Sequence, residues 1–163
     1  MVLGKTDCPV TPAVRFLRNH HVDFVPHLYP YVDHGGTAHS AQCLGVPEHQ
    51  VIKTIVLVDD RGQGMIVLMH GDRQISTRNL ARALGARHIA AADPKQANRW
   101  TGYLVGGTSP FGTRTLLPVY VEGSVLALPV IYINGGKRGF LVEMAPAGLA
   151  PLKAQPVQVA TGS

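Results

Sequence analysis

Apolar residues in this chain recur either at every second position or at spacings of three and four, the periods of strands and helices. The run "QVIKTIVLVDD" (50–60) is rich in β-branched side chains, closes on the polar turn "DDRGQG", and is followed by "MIVLMHGD" (65–72). Two such runs joined by a polar turn predict a β-hairpin. A strand is expected in "DFVPHLY" (23–29), with Pro26 placing it near a sheet edge. Others are expected in "ARHIAAAD", "LLPVYVE", "LPVIYING" and "FLVEMAP". Thr11 as N-cap and Pro12 at the first helical position start a helix that runs to about His20. A second helix starts at Thr37 and closes at Gly45, and a third runs between the cap Ser76 and the stop Gly85. A short fourth helix is capped by Asp93 and has Pro94 at its first position. "PAGLAPL" adds a last helical turn, and "QPVQVATGS" reads as a tail. Strands mixed with short helices predict one compact α/β domain around a mixed sheet.

Composition fits that picture. The 163 residues suffice for one domain with a real core, spanning 1–163 with its folded body at about 11–152. A hydrophobic fraction of 45% against 15% charged residues describes a packed globule and excludes disorder. The net charge of +5 points weakly to an anionic partner, and several arginines (73, 78, 82, 87, 99) cluster in the middle of the chain. A solvated helix face accounts for such a cluster equally well. Cys8 and Cys43 lack metal or redox spacing and read as free thiols of a reducing compartment. "MVLGKTDCPV" has no apolar segment after its lysine, and no run approaches the roughly 20 residues that span a bilayer. The expected setting is cytoplasmic.

The familiar catalytic signatures are missing. There is no GxSxG elbow and no HExxH, and the eight histidines show no ligand spacing, so neither metal nor cofactor is expected. "YLVGGTSPFGTR" (103–114) is not a P-loop, because no lysine follows its last glycine and it leads into a strand. Three features carry chemistry. Lys53 interrupts an apolar β-run, which is costly unless its ammonium reaches water or a ligand; a strand with one wet face is the plainer account. The glycine loop 103–114 is either a turn or a concave array of backbone donors suited to phosphate or a developing oxyanion. "NGGKRG" (134–139) repeats the theme beside two cations.

"TPAVRFL", "VIKTIVL", "TGYLVGGTSPFG" and "INGGKRGFLVEMAP" occur here in the order and spacing of the YbaK/ProX-type aminoacyl-tRNA deacylases, and the chain resembles that family over about Thr11 to Leu152. The family is related to the editing insertion domain of bacterial prolyl-tRNA synthetases. The resemblance implies a single α/β domain with a mixed, partly barrel-like sheet flanked by short helices. It also implies hydrolysis of the ester joining a wrong amino acid to tRNA, with Cys-tRNA(Pro) or a similar small-amino-acid ester as substrate. Lys53 falls on the family's important lysine, and Gly107 and Ser109 match its "GGxSPxG" loop, which makes these three the catalytic candidates. Tyr29, Thr54, Gly106, Asn134, Gly135 and Gly136 are the substrate-binding candidates. No protein nucleophile is implied; water or a group on the substrate attacks. The implied partners are mischarged tRNA, through its acceptor 3′ end, and prolyl-tRNA synthetase.

Three positions depart from relatives. His39 stands at or near an acidic position on the second helix, Asn134 replaces a serine, and Leu141 replaces an acidic residue. These differences bear on which amino acid is removed. A non-catalytic module that binds tRNA or a synthetase through the same fold is the rival expectation. A small-molecule esterase is a further one.

Overall fold

The computed structural model describes residues 8–162. The reading of the first segment as lacking a leader rests on residues 1–7, which lie outside that range, as does Ser163.

The chain forms α1 (Pro12–Asn19), β1 (Val25–Leu28), α2 (Gly36–Leu44), β2 (Val51–Asp59), β3 (Gly64–His70) and β4 (Gln74–Ile75). It continues through α3 (Thr77–Leu84), β5 (Ile89–Ala91), α4 (Pro94–Thr101), β6 (Val119–Glu122), β7 (Ile131–Asn134) and β8 (Phe140–Met144). The last strands are β9 (Gln155–Val157) and β10 (Ala160–Thr161). Single 3-10 segments cover Glu48–Gln50, Gly123–Ala127 and Pro146–Leu152. Among the described residues no helix is long and apolar enough to cross a membrane.

The expected caps form. The Thr11 hydroxyl accepts from Val14 N at 3.0 Å, Ser76 from Asn79 N at 3.2 Å and Asp93 from Gln96 N at 2.8 Å. Each satisfies one of the orphan amides of a helix start. Gly45 and Gly85 close α2 and α3 in the left-handed conformation. Helix α2 departs from expectation, because it begins at Gly36 and has no side-chain cap. The Thr37 hydroxyl is drawn away to Glu48 Oε2 (2.7 Å).

Eight strands make one mixed sheet in the order β1-β8-β7-β2-β3-β6-β9, with β5 also on β2. The β2–β3 hairpin is its centre, paired from Ile52↔His70 to Val58↔Gly64. Strand β3 is buried along its whole length. Ile66 and Leu68 meet Val14 and Leu17 of α1 in the main core, while Met65, Val67 and Met69 meet Leu80 and Ala81 of α3 on the opposite face. A third cluster joins Val51, Tyr132 and Leu141 to Ala41 of α2.

The tail expected at 155–163 is a correction. Residues 155–157 pair with β6 at the sheet edge, where Pro156 is tolerated, and 160–161 pair with β4. Segments of two or three residues carry too little periodicity to be read as strands. What holds them is the buried Glu122 carboxylate, which accepts from Val159 N (2.7 Å) and Ala160 N (2.8 Å).

One stretch of the β2 edge is left without a partner strand. Strand β7 pairs with its first residues, Val51 and Ile52, and β5 with its last, Leu57 to Asp59. Val51 O accepts from Gly71 N and Asp59 N donates to Gln63 O, so odd-numbered residues direct their backbone groups toward β3. The amide and carbonyl of Thr54 therefore face the interval that neither β7 nor β5 fills. Burial along β2 repeats the break, since both flanks are covered and Lys53, Thr54 and Ile55 are half-buried.

Candidate active site

A cavity of about 540 Å³ opens on this interval. Its floor is β2 from Val51 to Val56, its walls come from α2, from Ala91 and Ala92, and from Pro94 and Ala97 of α4, and Gly106 and Asn134 close one side. Five of the nine sequence-derived site residues line it: Tyr29, Lys53, Thr54, Gly106 and Asn134. Gly107, Ser109, Gly135 and Gly136 do not.

Lys53 sits on the β2 face between the α2 cluster and the α3 cluster, where neither covers it. Its ammonium donates to the Arg73 carbonyl beyond the end of β3. Burial lowers the lysine's pKa, while the charges of Glu48 and Asp72 raise it. Thr54 Oγ1 is a buried side-chain oxygen with no hydrogen-bond partner, an arrangement that costs stability unless a ligand completes it. Tyr29 is held above its usual pKa by burial, helped by Tyr31 and Cys43, so its hydroxyl stays protonated. Its ring meets His39 edge-on at 5.9 Å, and His39 is anchored through Nε2 to Pro30 O (2.7 Å).

The two glycine loops are bound to one another. Asn134 Oδ1 accepts from Gly136 N (2.7 Å) and Lys137 N (3.1 Å), and its Nδ2 donates to Gly106 O (3.2 Å). Gly107 lies against the second loop, where a Cβ would come within 2.8 Å of Arg138 N. The Gly107 amide already donates to Leu104 O at 2.8 Å, so it offers no free proton to a substrate oxygen. Ser109 is fully buried, and its Oγ accepts from Phe111 N at 3.2 Å. Gly135 lies on the Phe140 ring, and its amide bonds Phe140 O. These four residues shape the loops from outside the cavity lining, so Gly107 and Ser109, two of the catalytic candidates, do not line the space beside Lys53.

Several cavity-side residues escape a sequence reading. Tyr31 lines the mouth, with the Arg138 guanidinium 5.2 Å from its ring centroid and Arg138 Nε on Val105 O (2.8 Å). The Arg73 carbonyl and the Thr54 backbone have no sequence signal, because every residue carries those groups. A lysine in an apolar run, by contrast, marks itself. Among the described residues no three or more His, Cys, Asp or Glu side chains gather as metal ligands.

Comparison with known proteins shows the family. A family model described as the aminoacyl-tRNA editing domain matches residues 35–152, which include most of the cavity walls. A protein of Enterococcus faecalis, provisionally named Cys-tRNA(Pro)/Cys-tRNA(Cys) deacylase EbsC, is 27% identical over 143 residues, 87% of each chain. A proline–tRNA ligase of Nitratidesulfovibrio vulgaris is 35% identical over 79 residues, 48% of this chain but 14% of the ligase. A solved structure, described provisionally as a trans-editing enzyme for prolyl-tRNA synthetase, superposes with a TM-score of 0.79 at 25% identity. That match covers 94% of this chain and all of the other. A hypothetical protein at 22% identity reaches 0.84 and shares the fold.

Proposed function

The chain belongs to the aminoacyl-tRNA editing domain family, and from that premise we propose that it is a trans-editing hydrolase. It cleaves the ester of a mischarged tRNA, with Cys-tRNA(Pro) or another small-amino-acid ester of that tRNA as substrate. Residues 1–163 act as a single editing domain in the cytoplasm, where tRNA is charged. The observation that carries this reading is Lys53, held by the Arg73 carbonyl on the wall of a cavity into which the Thr54 backbone opens.

The chemistry follows from those groups. Water adds to the ester carbonyl, or the substrate's own thiol does so to give a cyclic thioester that water later opens, and negative charge builds on the carbonyl oxygen. The free Thr54 amide is a fixed donor for that oxygen, and the Lys53 cation stabilises charge at the 3′ end. The carbonyl–ribose bond then breaks, and the ribose oxygen leaves with a proton. An aminoacyl ester is already activated, so positioning supplies much of the acceleration. Ile52, Ile55, Val56, Ala91, Ala92 and Leu141 make an apolar wall. That wall suits a small thiol or methyl side chain.

Release of amino acid from Cys-, Ala- and Ser-charged tRNA(Pro) tests the proposal. Lys53→Ala should slow the preferred reaction by about 100-fold or more. No hydrolysis above buffer for any substrate, or full activity in Lys53→Ala, overturns it. A binding-only module gains support from Gly107 and Ser109 lying off the cavity. It predicts salt-dependent tRNA binding without turnover. Prolyl-tRNA synthetase is the proposed partner, since the ligase similarity falls within its chain.

A further inference from the structure

A laced polar cluster lies behind Lys53, and the proposed chemistry does not use it directly. At the end of β3, His70 is fully buried. Its Nδ1 is 2.8 Å from His49 O and its Nε2 is 2.7 Å from Ser124 Oγ. A backbone carbonyl only accepts, so Nδ1 carries the proton, and the neutral ring takes the Ser124 hydroxyl at Nε2. The His49 ring stacks on His70 with centroids 3.7 Å apart and planes within 7°. Because a carboxylate also only accepts, His49 Nδ1 donates to Asp72 Oδ1 at 2.9 Å.

Asp72 sits between two backbone anchors. On one side Gly71 N bonds Val51 O (2.7 Å), and Gly71 O lies 3.2 Å from the Thr37 hydroxyl. A Cβ on Gly71 would come within 2.7 Å of both Val51 O and Thr37 Oγ1, so this backbone is pressed against its neighbours. On the other side is Arg73, whose N bonds His70 O (3.1 Å) and whose carbonyl receives the Lys53 ammonium. The partner that orients Lys53 is thus the residue next to Asp72.

We propose that Asp72, gripped by His49, is a positioning residue for Lys53: it fixes the turn whose Arg73 carbonyl holds the ammonium and supplies that ammonium's counter-charge. The inference rests on the reading of Lys53 as the working cation of the cavity. Glu48 is the stronger of the two negative charges that reach Lys53, with Asp72 next, and Glu48 is tied to Thr37 Oγ1 at 2.7 Å. The other ionisable groups facing the cluster are His49, His70 and, beneath His70, Glu122. Burial is the largest single influence and opposes ionisation of Asp72, but the hydrogen bond and charge of His49, the Asp72 backbone amide and the charge of His70 together keep the carboxyl below its ordinary pKa. Asp72 is therefore negative throughout the neutral range. Removing its charge leaves burial less opposed at Lys53, so the lysine loses its proton at a lower pH.

The experiment follows the Lys53 amine directly, by pH titration of 13Cε-labelled lysine resonances in the full chain. The Lys53 signal is the one missing from Lys53→Ala. In Asp72→Asn the Lys53 titration should move down by about half a pH unit or more, and Asp72→Glu should restore most of it. The alkaline limb of the deacylation profile should shift in the same direction. An unmoved Lys53 titration in Asp72→Asn overturns the inference. So does a loss of activity by one factor at every pH, which is what a merely loosened fold produces. Because the titration needs no substrate, it stands even where no mischarged tRNA is hydrolysed, which separates failure of this inference from failure of the functional proposal.

Discussion

At single residues, the same motif divides into positions that border the cavity and positions that pack. In "GGTSPFG", Gly106 borders the cavity, whereas Gly107 and Ser109 are turned into the protein. Ser109→Ala should therefore leave deacylation within about twofold of the parent and cost about 1 kcal/mol of stability, the value of one hydrogen bond to a backbone amide. A loss of kcat by orders of magnitude at unchanged stability would make the hydroxyl catalytic after all. Gly107→Ala should cost the fold more. Its Cβ would press on Arg138 N and on Lys137 C, part the two loops, and lower stability by about 1–3 kcal/mol in urea unfolding. Lys53 was legible in the sequence because a charge in a β-branched run is chemically conspicuous. The direction of Ser109 was not, because a hydroxyl after a glycine pair suits a turn bond and a site equally well.

Among the elements, those with strong period and clear caps were legible: the hairpin, α1, α3 and α4 stand where their signals place them. The C-terminal strands were not, since their stability is borrowed from Glu122 and from the β6 edge. Glu122→Ala would orphan the buried Val159 amide and the half-buried Ala160 amide. We expect it to cost about 2–4 kcal/mol, with faster hydrogen exchange confined to the amides of 155–162. Uniform loss of protection across the sheet would show instead that Glu122 supports the core as a whole. The Arg73 guanidinium bonds Gly162 O, so this strap ends on the residue whose carbonyl holds Lys53.

For the whole molecule, the buried histidine predicts how stability depends on pH. Burial lowers the pKa of His70 from the ordinary 6.5, so the folded chain keeps it neutral. An unfolded chain binds a proton there as pH falls past about 6.5, and the folded chain binds it only at lower pH. The contribution is therefore intact above about pH 7 and drains away as pH falls below about 6.5. Asp60 and Asp72, whose pKa values lie below the ordinary 3.8, weaken the fold only in stronger acid. The urea midpoint should fall between pH 7.5 and 5.5, and His70→Gln should flatten that slope. An equal slope in the variant would assign the effect to another group.

Local sequence was enough for the α/β class, most helix boundaries, the central hairpin, the family resemblance and the conspicuous lysine. These depend on local period, on cap chemistry and on residue types that are rare in their surroundings. Only the tertiary structure decided which glycines face the cavity, that α2 starts without a side-chain cap, and that the C-terminal segment pairs. It also placed the Arg73 carbonyl and the unpaired Thr54 backbone beside Lys53. Those groups are common to every residue, and their direction follows from which strands stop short along β2, a property of the assembled sheet rather than of any segment of the chain.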